Sequence, residues 1–306
     1  MIDILLATYN GENYIEEQIK SLLSQTYKDW HLIVGDDCSK DRTVDILRKY
    51  KNLYPDKIEI HVNKVPSGGA KHNFYNLMNM ARSNYIMFCD QDDVWVDDKI
   101  EVTLNKMMSA EEKYGNDMPL LVHSDLCVVD KNLNVINPSM FEMQGMDYRK
   151  DKLNHLLVSN IVTGCTMMIN RSLLELAYVK PKFFVMHDMW LALLASAFGK
   201  IMFINKPLIL YRQHGSNSIG AKNIHSLNYI ICKLERINLV RENLNIQYKQ
   251  ASELLSMYES INPIYRDMLF KYSNFGEYSW VKRFITLRRY KMFKDGLIRK
   301  VGQLVL

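Results

Sequence analysis

The chain has 306 residues, of which 48% are hydrophobic and 24% charged, with a formal net charge of +5. This length can bury a full core, and this balance excludes a disordered chain and a fibrous or solenoid repeat. The charge is uneven: residues 222–306 hold 15 Lys or Arg against 7 Asp or Glu, so a nearly neutral body precedes a basic tail.

The first ninety residues alternate between two periodicities. Ile2-Asp3-Ile4-Leu5-Leu6-Ala7 is an apolar run that predicts a buried strand. Ile15, Ile19, Leu22 and Leu23 recur at helical spacing and predict a helix over residues 13–25. His31-Leu32-Ile33-Val34 is the next strand. Val44, Ile46 and Leu47 mark a second helix, with Ser39 and Asp41 as capping candidates. Residues 58–62 alternate as a strand, Ser67-Gly68-Gly69 is a loop, and Phe74, Leu77, Met78 and Ala81 mark a third helix. Tyr85-Ile86-Met87-Phe88-Cys89 is again a buried strand, and Asp97 and Asp98 are expected to cap a helix through Ile100 and Leu104.

Further strands are predicted over residues 120–125, 166–169 and 200–211, with Pro207 at an edge or bend. Met189 to Phe198 reads as a buried helix. From about Ile224 onward the pattern is helical and basic, which places a domain boundary near residue 221: residues 1–221 as one α/β domain, 222–306 as a basic helical extension. Strand–helix alternation implies a mainly parallel sheet with helices on both faces. Ligands of such sheets bind beyond the carboxyl ends of the strands. Three of those ends carry Thr8-Tyr9-Asn10, Asp36-Asp37-Cys38-Ser39 and Asp90-Gln91-Asp92-Asp93, which should therefore converge.

Five cysteines lie far apart with no C-x-x-C pair, which argues against a disulfide scaffold or zinc site and for a reducing cytosol. The N-terminal residues lack the basic start and small-residue cleavage site of a signal peptide. The longest nearly apolar stretch, Met189 to Gly199, is too short for a membrane span, so any membrane contact is expected to be peripheral.

The acidic turn is the most informative feature. Three carboxylates on one turn repel each other, and a divalent cation removes that cost. Mg²⁺ and Mn²⁺ prefer oxygen ligands and share them with phosphates, as holding a nucleoside diphosphate requires. A solvated acidic turn is the competing description. After the second strand, one of Asp36 and Asp37 is placed to accept the imide N–H of a pyrimidine, and Tyr9 to lie against that base; a capping loop and a core aromatic are the alternatives. Asp188 enters an apolar helix, where desolvation raises its pKa and suits it to act as a general base, although an N-cap has the same pattern. In Tyr211-Arg212-Gln213-His214, Arg212 is expected to face diphosphate and His214 the metal or phosphate; Lys71 is a second candidate for phosphate. Ser67 to Lys71 lacks P-loop spacing, and no G-x-G-x-x-G follows the first strand.

Together, Leu6-Ala7-Thr8-Tyr9-Asn10-Gly11-Glu12, Gly35 to Asp41 and Cys89-Asp90-Gln91-Asp92-Asp93-Val94-Trp95 resemble family-2 glycosyltransferases of the GT-A fold. Asn160 to Met168, Met186-His187-Asp188 and Leu210 to His214 are similar to a subgroup of bacterial rhamnosyltransferases that build rhamnose polysaccharides. The resemblance covers residues 1–221, more weakly the tail. It implies a nucleotide site of Ala7, Tyr9, Asp37, Asp90, Lys71 and Arg212, a Mg²⁺ or Mn²⁺ site of Asp92, Asp93 and His214, and Asp188 as catalytic base. It implies a dTDP- or UDP-sugar donor, a polyprenyl-linked glycan acceptor and a place at the inner face of the plasma membrane. Many members carry Glu-Asp where this chain has His187-Asp188, and Gly where it has Cys38.

In the tail, residues 280–306 interleave basic and apolar side chains, a pattern suited to an anionic membrane interface or to an ordinary docked helix. They show no RNA- or DNA-binding signature, so no nucleic-acid partner is expected. A nucleotidyltransferase would carry a Gly-rich basic loop after the first strand, where this chain has Thr8-Tyr9-Asn10-Gly11-Glu12.

Overall fold

A computed structural model describes residues 1–214 and 237–305. The boundary expected near residue 221, the helical onset near Ile224 and Cys232 lie outside the described residues. The N-terminal half alternates β1 (Ile2–Thr8), α1 (Ile15–Ser24), β2 (Trp30–Asp36), α2 (Thr43–Leu53), β3 (Ile58–Val62), α3 (Ala70–Met78) and β4 (Tyr85–Cys89). The β1–β2, β2–β3 and β1–β4 pairs are all parallel, in the order β3-β2-β1-β4. The central strands β1 and β4 are almost wholly apolar because both faces are covered, whereas the edge strand β3 alternates and is only partly buried. Ile4 and Leu6 of β1 meet α1, α2 and α4 (Lys99–Tyr114) on one face, while Leu5 meets α3 on the other. The period-2 alternation of a strand thus feeds two separate cores.

The C-terminal half of the sheet is mixed. It contains β5 (Val94–Trp95), β6 (Leu120–Val129), β7 (Val135–Asn137), β8 (Met168–Asn170) and β9 (Lys200–Arg212), and the sheet order continues β4-β8-β6-β9-β5. β8 runs antiparallel to both β4 and β6, whereas β6 and β9 are parallel. Pro207 sits opposite Asp125 where the β6–β9 register shifts. Proline cannot donate to the ladder, and a bulge is where it fits. Between these strands lie α5 (Met140–Gln144), α6 (Leu153–Leu156) and α7 (Arg171–Leu176), short helices too brief to leave a periodic signal in the sequence.

Helix α8 (His187–Phe198) begins earlier than the predicted Met189, so Asp188 lies in its first turn. It is apolar on every side because it is sandwiched. One side meets the sheet; the other meets the connection between α9 (Ile237–Met257) and α10 (Pro263–Ser273), through Trp190 against Tyr258 at 6.4 Å between ring centroids. Val185 N–H donates to Gln250 Oε1 at 2.7 Å, tying the entry of α8 to α9. The chain closes with α11 (Trp280–Tyr290) and α12 (Leu297–Val305). Apolar residues of α9, α10 and α11 belong to the same contiguous core as α3 and α8.

Two capping expectations are corrected. Asp98 occupies the N-cap position of α4, but its side chain makes no capping hydrogen bond; it accepts instead from Lys206 Nζ at 2.6 Å. Asp97 accepts from Ser24 Oγ at 2.8 Å. Asp98 thus has a charged donor across the fold, stronger than the helix amides beside it, and Asp97 is taken up by α1. Ser39 does not cap α2 either: its hydroxyl donates to Asp36 and accepts from Asn10 N–H. Asp41 does close the start of α2, accepting from Thr43 N–H at 3.0 Å and from Glu12 N–H at 3.0 Å.

Candidate active site

The carboxyl ends of β1, β2 and β4 are cross-linked before any ligand is considered. Thr8 Oγ1 donates to Asp36 Oδ2 at 2.9 Å, and Asp37 N–H donates to the Thr8 carbonyl at 2.9 Å. Asp36 is fully buried and accepts from the Ser39 amide as well, so it shapes the loop and offers nothing outward. Asp37 accepts from Ser67 N–H at 2.6 Å, Asn63 Nδ2 at 2.9 Å and Ser67 Oγ at 2.9 Å. Burial pushes its pKa up, but these donors outweigh burial and hold it below the usual value, so it is ionised. The residue between them and Ser39, Cys38, has φ +67°, the left-handed region that glycine enters without cost. That is why glycine suits this position; here the Cys38 thiol donates to the Asn63 carbonyl.

Tyr9 is 56% exposed at the mouth of this edge, so it is no core aromatic. Its backbone is held by a residue the sequence reading passed over. Gln91 Oε1 accepts from Tyr9 N–H and Gln91 Nε2 donates to the Tyr9 carbonyl, both at 2.9 Å. The amide lies across Gly11, where a Cβ would come within 2.3 Å of Gln91 Oε1. Ala7, at the strand end below, is partly buried and pairs in register with Gly35.

The acidic turn divides into an open part and a buried part. Asp92 Oδ2 lies 2.8 Å from His214 Nε2, joining residues from the ends of β4 and β9. Tyr14 supports this pair: its ring lies 4.7 Å from the His214 ring and 4.8 Å from the Arg212 guanidinium. Asp93 turns inward. It is fully buried, accepts from Arg212 N–H at 3.1 Å through Oδ1, and its Oδ2 has no protein donor. Ligand atoms of Asp90, Asp93 and Cys165 lie within 4.8 Å of one another. Burial, then the neighbouring acids, push both Asp90 and Asp93 upward, and burial pushes the Cys165 thiol upward too.

Arg212 was expected to face diphosphate; its guanidinium instead lies inside the fold. It donates to the Asp92 carbonyl at 2.8 Å and the Lys131 carbonyl at 2.7 Å, and pairs with Glu17. Three acceptors converge there, and a planar five-donor fork satisfies them at once. Lys71, on α3, donates to the Phe184 carbonyl at 3.0 Å with its ammonium over the Phe184 ring.

Asp188 stands near the acidic turn, close enough that its charge raises the pKa of Asp90. Its own carboxylate accepts from Met189 N–H at 2.5 Å and Gly164 N–H at 3.2 Å. Burial nonetheless raises its pKa to about 6. The preceding His187 cannot share a proton-transfer role. Its ring is buried between Phe74 and Phe88, neither nitrogen has a hydrogen-bond partner, and burial lowers its pKa to about 3.

The donor set fits a hard divalent cation. Asp92 and His214 supply a carboxylate and an imidazole already aimed at each other, partly screened from water. In the same turn the buried Asp93 Oδ2, grouped with Asp90 and Cys165, is a further oxygen without a hydrogen bond. Oxygen with imidazole suits Mn²⁺ or Mg²⁺, and the raised Cys165 thiol does not present a thiolate.

A model of the family described as "Glycosyl transferase family 2" matches residues 3–176. The chain is 30% identical over 252 residues to "dTDP-rhamnosyl transferase RfbG" of Shigella flexneri, covering 77% of this chain and 79% of that protein. It is 27% identical over 178 residues to "UDP-Glc:alpha-D-GlcNAc-diphosphoundecaprenol beta-1,3-glucosyltransferase WfgD" of Escherichia coli, 57% of this chain and 62% of that one. Among solved structures, S. aureus TarS 1–349 in complex with UDP-GlcNAc superposes with a TM-score of 0.59 at 16% identity, covering 99% of this chain and 79% of that one. With a family match over more than half its length and the mainly parallel sheet of the GT-A fold beneath its acidic turn, the chain belongs to glycosyl transferase family 2.

Proposed function

We propose that this glycosyltransferase moves L-rhamnose from dTDP-L-rhamnose, with inversion, to a hydroxyl of a lipid-linked oligosaccharide in cell-surface polysaccharide synthesis at the cytoplasmic face of a bacterial membrane. The observation that carries the chemistry is the placement of Asp188, a carboxylate raised by burial and lying outside the acidic turn, beside that turn. The likeness to the dTDP-rhamnosyl transferase of Shigella supports the donor, and that to the diphosphoundecaprenol-linked glucosyltransferase of Escherichia supports the lipid-linked acceptor. No helix among the described residues is long and apolar enough to cross a membrane, so the contact with lipid is peripheral in this reading.

Each residue takes one task. Tyr9 stacks on the pyrimidine, and ionised Asp37 accepts its imide N–H. Asp90 meets the ribose. Asp92 and His214 would hold Mg²⁺ or Mn²⁺, with Asp93 fixing the turn through the Arg212 amide. When bound, the cation neutralises the departing diphosphate as a Lewis acid, so no protein acid is needed. Lys71 adds positive charge toward the phosphates, while Arg212 braces the turn from within. Asp188 takes the acceptor hydroxyl proton as that oxygen attacks the anomeric carbon opposite the leaving group. One displacement inverts the centre, so a β-linked donor gives an α-rhamnoside. A hydrolase would need two carboxylates flanking the bond.

The test is a panel of sugar nucleotides with Mn²⁺ or Mg²⁺ and lipid-linked acceptors, read by nucleotide release and product mass. dTDP-L-rhamnose should be consumed fastest. A UDP-hexose is the second reading, favoured by the donor in the name of the Escherichia relative. Clear turnover of a UDP-hexose with none of dTDP-rhamnose decides for it.

A further inference from the structure

Helix α11 buries Arg283 and Thr286 beside Leu287 and leaves four large apolar side chains in water. Its inward positions include Arg283 and Thr286, both buried. Arg283 donates to the Gly276 carbonyl at 3.0 Å and the Leu304 carbonyl at 3.3 Å; Thr286 Oγ1 donates to the Lys282 carbonyl at 2.8 Å. The outward positions are Trp280, Val281, Phe284 and Ile285, with Trp280 68% and Ile285 58% exposed. These four fall on one arc of the helix. The neighbouring helix α12, joined to α11 through the Arg283–Leu304 contact, repeats the pattern. Ile298, Val301 and Val305 are exposed at i, i+3 and i+7. A folded core does not turn its apolar stripe outward on two packed helices without something to cover it.

The charge around the stripe selects the cover. Residues 280–305 contain eight Lys or Arg and one acid, Asp295, which is paired with Lys150. Arg289 faces Asp267 at 3.6 Å; Lys282, Arg288, Lys291 and Lys300 are exposed. A second copy of the same cationic face would be repelled. An anionic lipid surface attracts the cations and receives the apolar side chains in one plane, as an interfacial helix requires.

We propose that the outward face of α11 and α12 is a membrane-docking surface: Trp280, Val281, Phe284, Ile285, Ile298 and Val301 enter the headgroup–acyl boundary of an anionic bilayer, ringed by Lys282, Arg288 and Lys300. This deepens, and rests on, the reading of a lipid-linked acceptor. Docking through this face keeps the enzyme on the surface where such an acceptor resides.

The full chain carries its own probe. Trp30, Trp95 and Trp190 are buried, so Trp280 is the tryptophan that changes environment on docking. Adding vesicles of phosphatidylcholine with one part in three phosphatidylglycerol should shift tryptophan emission to the blue and float the protein with lipid; phosphatidylcholine alone should do neither. Phe284→Asp combined with Ile285→Asp should abolish flotation while preserving the thermal melt. Lys282→Glu or Arg288→Glu should weaken partition by at least about fivefold each at low salt. Nucleotide release with a water-soluble acceptor, run in parallel, separates the two ideas. Normal release by all variants with no vesicle binding by the wild type overturns the docking surface alone. Absence of release, with binding intact, overturns the transfer reading instead. A wild-type dimer in solution that the double Asp variant converts to monomer, with no vesicle binding, would identify a second copy as the cover and sink the proposal.

Discussion

The side-chain amide of Gln91 grips the backbone of Tyr9 at two points, accepting from its N–H and donating to its carbonyl, both at 2.9 Å. Gln91 belongs to the acidic turn and Tyr9 to the end of β1. The contact therefore sets the spacing between the residues assigned to the base and those assigned to the diphosphate.

Breaking this contact should raise KM for the nucleotide sugar more than it lowers kcat. Gln91→Ala loses both hydrogen bonds, each worth about 1 kcal/mol net, which corresponds to roughly a tenfold or greater rise in KM. Gly11→Ala should reproduce it with Gln91 unsubstituted, because the added Cβ would lie 2.3 Å from Gln91 Oε1 and push the amide aside. Steady-state kinetics of the two variants and the double mutant check this; independent, additive losses would refute the shared cause.

Removing Asp92 or His214 should remove the cation dependence. Asp92→Ala is expected to cut kcat by roughly 100-fold or more, and His214→Ala to weaken Mn²⁺ affinity by roughly 10–100-fold. Calorimetric Mn²⁺ titration in the presence of nucleoside diphosphate reads both. Chelation of the wild type should match the Asp92→Ala rate. Unchanged Mn²⁺ affinity in both variants would exclude the pair as ligands.

Asp188→Asn should lower kcat by roughly 10²–10⁴ with little change in KM. Because the wild-type carboxyl titrates at about 6, its activity should fall as pH drops below 6. The stability effect has the opposite sign. The folded pKa lies above the ordinary 3.8, so folding favours the protonated form. That contribution is complete below pH 3.8 and is lost as pH rises through 6. The Asn variant should therefore melt higher than wild type above pH 6 and lose that advantage under acid conditions, as scanning calorimetry across this range will test.

Gly164 is the counterpart of this site on the other side of Asp188. A Cβ there would stand 2.8 Å from His187 Nε2 and 3.7 Å from Asp188 Cβ. The His187 ring has no room to retreat between Phe74 and Phe88. Gly164→Ala should cost about 1–3 kcal/mol of stability by overpacking and lower kcat by displacing Asp188. A wild-type melting curve for this variant would contradict it.

The primary structure determined the parallel half of the sheet, the acidic turn and the family, since apolar runs and ordered motifs are local properties. Asp90, Asp92 and Asp188 could be singled out because each sits at the junction of an apolar element and a polar loop. Pairings across the fold were not legible there. That His214 meets Asp92, that Arg212 turns inward to Glu17 and two carbonyls, and that Gln91 holds Tyr9 each depend on which of several nearby partners the packed strands bring within hydrogen-bond reach. The same holds for α11. Its sequence mixes basic and apolar residues, and helical periodicity identifies two faces. Only the packing decides that Arg283 and Thr286 go inside with Leu287 while Trp280, Val281, Phe284 and Ile285 stay outside. Local pattern sets what an element is made of; the free energy of packing the whole chain sets which way it turns.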